Sequence, residues 1–441
     1  MNEERYIAAL EISSSKVIGV VGRILSSGEL DIIAVEQEKH VEVVRYGMIQ
    51  NLEETSLRIA RIIDKLERKP AVAPRRIQSV FIGLSGRSVR SIQTKVRVSL
   101  PDETEITDEI LRRLDQEALH TAIDNSLEVI DAVARKYRVG NLETKSPKGA
   151  IGNEIEAVYD IIVARPELKR NIMRVVHDKL HIGIEGFVVT ALAAAHLVIP
   201  AEEKRLGCML VDLGAETTSV TIYRDGSLNY FATLPLGGRN ITRDLTSLGI
   251  LEERAEEIKQ TSGNALPPDV PSTLNLNGVK LSEVSNLIVA RAEEISANIV
   301  EQIRYAGLKE KELPGGIICI GGGAKLNGAT ELLTRLTGLQ TRIGRLPSYV
   351  HLEDAKAPSS DIVEVASVLY EGATLTDAVC LEVPKAQGVP ALGTESAAET
   401  EADEKHPKTP GAGSRLMDKF RRKIAGMFTG GTEDESGLLD E

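Results

Sequence analysis

Residues 6–16 read YIAALEISSSK and residues 208–218 read CMLVDLGAETT. Each is an apolar run that ends on an acid, one more apolar residue and a small polar turn. The segments after the two turns are also alike. VIGVVGRI (17–24), a turn at Ser26-Ser27-Gly28 and ELDIIAVE (29–36) run parallel to SVTIY (219–223), a turn at Arg224-Asp225-Gly226 and SLNYFATLP (227–235). Gly28-Glu29-Leu30-Asp31 is echoed by Gly226-Ser227-Leu228-Asn229. Runs rich in β-branched residues and punctuated by turn residues read as strands joined in hairpins. An offset of about 200 residues is far beyond solenoid periods, so the duplication points to two related α/β halves.

Outward from these hairpins, the apolar spacing of Leu57, Ile59, Ala60, Ile62, Ile63 and Leu66 predicts a helix over 52–66, followed by a strand at 79–84. The segment from Ser85 differs in texture. It holds a strand-like SIQTKVRVSL (91–100), a helix predicted over 108–123 and a polar stretch at 141–152, and it reads as an inserted subdomain. Helices are predicted at 166–180, 190–198, 252–260, 282–305 and 329–336, with a Pro-rich loop through Pro267, Pro268 and Pro271. A strand GIICI (316–320) runs into Gly321-Gly322-Gly323. The resulting division is a first lobe of 1–84 and 164–206, an insert of 85–163, and a second lobe of 207–383 with a smaller subdomain at 248–312. A linker (384–413), an amphipathic helix (414–428) and an acidic tail (429–441) complete it.

Composition narrows the function. At 441 residues the chain is long enough for two or more domains, and 42% apolar residues suffice for real cores. Aromatics make up only 3%, so the cores are aliphatic and a Phe outside them is informative. A net charge of -12 argues against nucleic acid as a partner, which calls for a basic face. The three cysteines, Cys208, Cys319 and Cys380, show neither metal spacing nor a disulfide framework, as expected of a reducing compartment. The N-terminus is too acidic for a signal peptide, and no run approaches the roughly 20 apolar residues of a membrane span.

Three features suit phosphate chemistry. In the turn after Glu11, Ser13, Ser14 and Ser15 offer hydroxyls and close backbone approach, and Lys16 offers a neutralising charge. In the second turn, Asp212 stands at a strand end before Gly214, Thr217 and Thr218, where a carboxylate can hold the waters of a Mg2+ ion. The late cluster Gly321, Gly322, Gly323 and Lys325 leaves bare backbone for a base or sugar to lie against.

In this order the three features resemble the actin, Hsp70 and sugar-kinase superfamily. Its phosphate-1 motif is similar to Glu11–Lys16, its phosphate-2 motif to 212–218 and its adenosine motif to 315–325. Pro235-Leu236-Gly237-Gly238 resembles the connecting motif, and Glu256 and Lys259 resemble the helix that touches ribose and base. The resemblance implies a two-lobed actin-like ATPase fold of duplicated RNase H-like domains, with ATP as ligand and Mg2+ held through water by Glu11 and Asp212. None of the seven His is placed by a motif, so no general base is assigned.

SVFIGLSG (79–86), leading into the insert, is similar to the cell division family FtsA, as is a linker followed by an amphipathic helix. That likeness implies a tether of the tubulin-like protein FtsZ to the cytoplasmic face of the inner membrane at the division site. It also implies self-polymerisation, with ATP favouring the filament-competent form, and contacts with other division proteins. Two departures stand out: Ser13 replaces a Gly of phosphate-1, and Ala215-Glu216 replace two Gly of phosphate-2. Glu216 beside a triphosphate repels it unless the side chain turns away or binds the metal, so weak nucleotide binding and slow turnover are expected. The rival readings are a PilM-like adaptor of a pilus machine and a sugar or acetate kinase.

The stretch from Ser414 to Phe428 carries the tether. Leu416, Met417, Phe420, Ile424, Met427 and Phe428 recur at three- and four-residue steps on one helical face, with Arg415, Lys419, Arg421, Arg422 and Lys423 around it. Two of the five Phe lie here, beyond a linker rich in Ala, Glu, Thr, Pro and Gly. The basic surround favours anionic lipid, at about 1 kcal/mol per Lys or Arg.

Overall fold

The computed structural model describes residues 5–25, 27–268, 275–276, 279–353 and 359–384. The expected amphipathic helix and acidic tail, and all of the linker but its first residue, lie outside them.

The principal strands are β1 (Arg5–Ile12), β2 (Lys16–Ile24), β3 (Leu30–Lys39), β4 (Ser79–Leu84), β5 (Arg90–Glu105), β6 (Glu128–Val139), β7 (Leu142–Thr144), β8 (Ile151–Ala164) and β9 (Gly183–Val189). They continue as β10 (Cys208–Leu213), β11 (Thr218–Arg224), β12 (Ser227–Leu234), β13 (Ile317–Ile320), β14 (Thr341–Ile343) and β15 (Val350–Leu352). The principal helices are α1 (Leu52–Glu67), α2 (Asp108–Leu119), α3 (Thr190–Val198), α4 (Gly238–Thr246), α5 (Glu252–Ser262), α6 (Leu281–Tyr305), α7 (Ala329–Thr337) and α8 (Val363–Leu375).

The duplication read in the sequence is one of topology. The first sheet runs β9-β4-β1-β2-β3-β15 and the second β12-β11-β10-β13-β14. In each, the leading strand pairs antiparallel with the next on one side and parallel with a later strand on the other. The matching acids occupy matching places: Glu11 pairs in register with Ile18, Asp212 with Ser219, each one residue before its strand ends. β1, β4 and β10 are buried along almost their whole length, because layers cover both faces of each sheet. This is a two-lobed, actin-like α/β fold.

Local chemistry sets the elements that frame the cleft. Asn51 caps α1, its side-chain oxygen accepting from Glu54 N at 3.0 Å, and Glu53 and Glu54 face the helix's positive end. α2 ends at Leu119, short of the expected Ile123, and Asp124 then folds a turn in which its carboxylate accepts from Ser126 N at 2.7 Å. The helix expected over 166–180 is α-helical at Glu167–Met173 and π-helical at Arg174–Lys179. The insert is a four-stranded sheet, β7-β6-β8-β5, with its own hydrophobic core under α2, which includes Tyr137 and Tyr159.

One expected boundary is wrong. The second lobe does not run unbroken to residue 383. β15 pairs parallel with β3, and α8 packs on the first sheet, where Val365, Val368 and Leu369 join the core of Leu10, Phe81 and Val20. The apolar run 362–375 is buried on nearly every side, which only a position between sheet and helices permits. The chain therefore crosses back to the first lobe before residue 350.

Candidate functional site

The two polar turns and the glycine turn meet in one cleft between the lobes. Gly321, with φ +88°, lies so close to β10 that a Cβ there would sit 2.6 Å from the Leu213 carbonyl oxygen and 2.7 Å from Asp212 Oδ1. At Gly323 it would lie 1.7 Å from Leu213 Cδ2, whereas at Gly322 it would meet nothing within 4 Å. Two glycines thus press the adenosine-like turn against the Asp212 strand end, and the third leaves open room.

The connecting motif closes onto the same point. Gly238 N donates to Gly214 O at 2.9 Å and Arg239 N to Ala215 O at 2.7 Å. Gly237 abuts the carbonyls of Gly214 and Ala215, so no side chain fits there. Lys259 Nζ donates to Gly238 O (3.0 Å), Thr242 Oγ1 (2.9 Å) and Glu256 Oε2 (2.7 Å). A Cβ at Gly238 would be 3.6 Å from Lys259 Nζ and 3.7 Å from Gly323 Cα, so three motifs far apart in sequence converge.

In the first turn, Ser13 uses its hydroxyl to donate to Lys16 O at 2.9 Å. Ser14 accepts from Gly47 N at 3.1 Å, and Ser15 O accepts from His40 N at 2.9 Å. Lys16 Nζ donates to Asp361 O at 2.9 Å, and the Asp361 carboxylate pairs with Lys325. In the second turn Gly214 N donates to Thr217 O at 2.9 Å, holding the turn tight. Thr218 departs from expectation. It is fully buried and donates to Leu236 O at 2.8 Å, so it shapes the turn and does not face a ligand.

Three carboxylates share the floor of the cleft, and the sequence announces only two. Glu11 is pushed up to about 8, first by burial and then by the negative field of Glu364, against the pull of Lys16. Asp212 is raised well above its usual range by burial, with Glu364 and Glu11 adding to it. Glu364, in the first turn of α8, is raised by burial while Lys16 and Lys325 oppose the rise. A buried charge is costly unless paired, so this set invites a cation. Among the described residues no group of three or more His, Cys, Asp or Glu is placed to hold a metal directly.

The Glu216 carboxylate is taken up between Tyr46 of the first lobe and the arginines of α4. It is 1% exposed, accepts from Tyr46 N at 2.8 Å and pairs with Arg45 (3.0 Å), Arg239 (3.5 Å) and Arg243 (2.6 Å). Its carboxyl is held below the usual range by Tyr46 N–H and the arginines, which outweigh its burial. The repulsion expected of Glu216 toward a triphosphate is thereby neutralised.

A cavity of about 350 Å3 opens behind the glycine turn, lined in part by Gly321, Lys325, Gly344 and Val363. A larger one of about 540 Å3 lies elsewhere, between the insert and β12, and none of the cleft residues lines it. Among the described residues no helix is long and apolar enough to cross a membrane.

Comparison with known proteins agrees with this architecture. The family model for cell division protein FtsA matches residues 209–360, and that for the SHS2 domain inserted in FtsA matches 86–163. A cell division protein FtsA of Porphyromonas gingivalis is 30% identical over 341 residues, 75% of this chain and 71% of that relative. The Pseudomonas aeruginosa FtsA is 26% identical over 436 residues, 96% of this chain and 98% of its own length. Among solved structures, the PilM–PilN type IV pilus biogenesis complex aligns with a TM-score of 0.60 at 18% identity, over 83% of this chain and 98% of that one, a likeness of fold. On these grounds the chain belongs to the FtsA family of cell division proteins.

Proposed function

We propose that the protein binds ATP in the interlobe cleft, assembles with its own copies, and anchors FtsZ filaments to the cytoplasmic membrane at the division site. The observation that carries the reading is the union in one chain of an FtsA-family cleft and a basic amphipathic stretch, Ser414–Phe428. Gly322 and the backbone of the two polar turns provide the open approach an anion needs. Lys16 and Lys325 supply positive charge, and Glu256 and Lys259 border the turn beside Gly238. Glu11 and Asp212, both buried and both within the field of Glu364, suit a hydrated Mg2+ held through its waters, and the ion would screen the phosphates' charge.

A single short helix binds lipid reversibly, so assembly into filaments multiplies weak contacts into firm attachment. The test is cosedimentation of the full chain with anionic liposomes, with and without FtsZ and Mg-ATP. The parent carries FtsZ into the pellet, and Phe420→Glu leaves both in the supernatant while the far-ultraviolet spectrum is unchanged. Pelleting that ignores the substitution refutes the tether.

A further inference from the structure

The hairpin after β3, with strands Val44–Arg45 and Met48–Ile49, touches both polar turns at once. Two successive backbone N–H groups at its tip point to opposite sides of the cleft. Gly47 N donates to Ser14 Oγ of the first turn at 3.1 Å, and Tyr46 N donates to Glu216 Oε2 of the second at 2.8 Å. The tip is held in a rarely populated conformation, Tyr46 at φ +49° and Gly47 at φ +80°. Gly47 lies against Gly86, where a Cβ would come within 2.5 Å of the Gly86 Cα. The Arg45 and Arg87 guanidinium groups flank the Tyr46 ring at 5.7 and 5.2 Å.

From the second lobe, Glu216 completes the joint. Its carboxylate accepts from Tyr46 N–H and pairs with Arg45 of the first lobe, while Arg239 and Arg243 of α4 hold it from its own side. This is the work a nucleotide's terminal phosphates do in a two-lobed cleft: an anion beside the second turn pulls the first lobe onto it. We propose that Glu216 is a built-in anion that holds the two lobes closed, so that closure in this chain belongs to the polypeptide and needs no nucleotide. A ligand moves an equilibrium only by its differential affinity for the two states. Where a side chain already favours the closed form, nucleotide adds stability without changing shape.

The experiment measures interlobe distance without nucleotide, so it stands whether or not the cleft binds ATP. The native cysteines, Cys208, Cys319 and Cys380, are buried, so spin labels on Arg61→Cys (α1) and Glu253→Cys (α5) report selectively, with the unsubstituted chain as background control. With Glu216 in place the distance distribution is one narrow peak that Mg-ATP leaves unchanged. Glu216→Gln and, from the other side of the joint, Arg45→Gln both broaden it and lengthen its mean. The double variant goes no further than Glu216→Gln alone, which already removes the charge that Arg45 pairs with. A parent that is already broad without nucleotide, or substitutions that leave the peak as narrow as before, overturns the proposal. Circular dichroism confirms folding, and Arg45, at 31% side-chain exposure, is replaceable even if Glu216→Gln fails to fold.

Discussion

Lys16 and Asp361 are joined across 345 positions of sequence: Lys16 Nζ donates to the Asp361 backbone oxygen at 2.9 Å. The contact places a cation from the first polar turn beside the segment that leads into α8, within the field of Glu11, Asp212 and Glu364. Lys16 thus neutralises the carboxylates, and under the proposed function it also presents charge to phosphate. Lys16→Ala removes both. Affinity for Mg-ATP, read by titration calorimetry, falls at least about ten-fold, about 1.4 kcal/mol. Unchanged affinity would show that Lys16 serves only the fold.

The three carboxylates make the nucleotide-free protein sensitive to rising pH. An acid whose folded pKa is raised keeps in the folded state a proton that the unfolded chain gives up. Its stability contribution is therefore complete below the ordinary value of 4.5 and is lost as pH rises through the folded value of about 8 for Glu11. Asp212 and Glu364 act in the same direction. Glu216 and Glu256, held below the usual range, act the other way, and only at more acid pH. Thermal unfolding without nucleotide shows Tm falling between about pH 5 and pH 9. Glu11→Gln flattens the slope and raises Tm at the alkaline end, and a slope identical in parent and variant would contradict the assignment.

The hairpins were legible because their chemistry is local: period-two apolar runs, small turn residues and matching acids fix strands and register over a few positions. α8 was not. VEVASVLYEGATL is buried on nearly every side, so it carries no amphipathic stripe, and with it Glu364 stayed hidden. α4 escaped notice because it opens on Gly238, a poor helix former. The role of Glu216 was beyond sequence reasoning for another reason. Its first-lobe partners, Tyr46 N–H and the Arg45 side chain, lie about 170 positions away, too far for any local motif to pair them, and a backbone donor leaves no mark on side-chain identity.

The glycine turn gives a contrast within three residues. At Gly323 an added methyl would occupy the space of Leu213 Cδ2, 1.7 Å away, forcing that side chain or the turn to move. Overpacking of this kind costs about 1–3 kcal/mol, so Gly323→Ala lowers Tm by several degrees. At Gly322 nothing lies within 4 Å, so Gly322→Ala leaves Tm unchanged and weakens ATP binding alone. Equal Tm losses at the two positions would mean that the turn does not sit against β10 as described.

Lys259 tests how the Gly238 turn is held. An ammonium has three donors, and the three bonds of Lys259, to Gly238 O, Thr242 Oγ1 and Glu256 Oε2, account for all of them. Burial lowers its pKa, and the neighbouring Glu256 carboxylate opposes the fall. Lys259 accordingly positions the Gly238 turn beside Gly323. Lys259→Met removes the counter-charge of Glu256, leaving that carboxylate Thr242 and Gln260 as donors, at about 1–3 kcal/mol. Glu256→Gln added to it costs little more, because the partner is already gone. A double-mutant cycle in urea unfolding therefore shows a coupling between the two of about 0.5–3 kcal/mol, and simple additivity would remove Lys259 from this role.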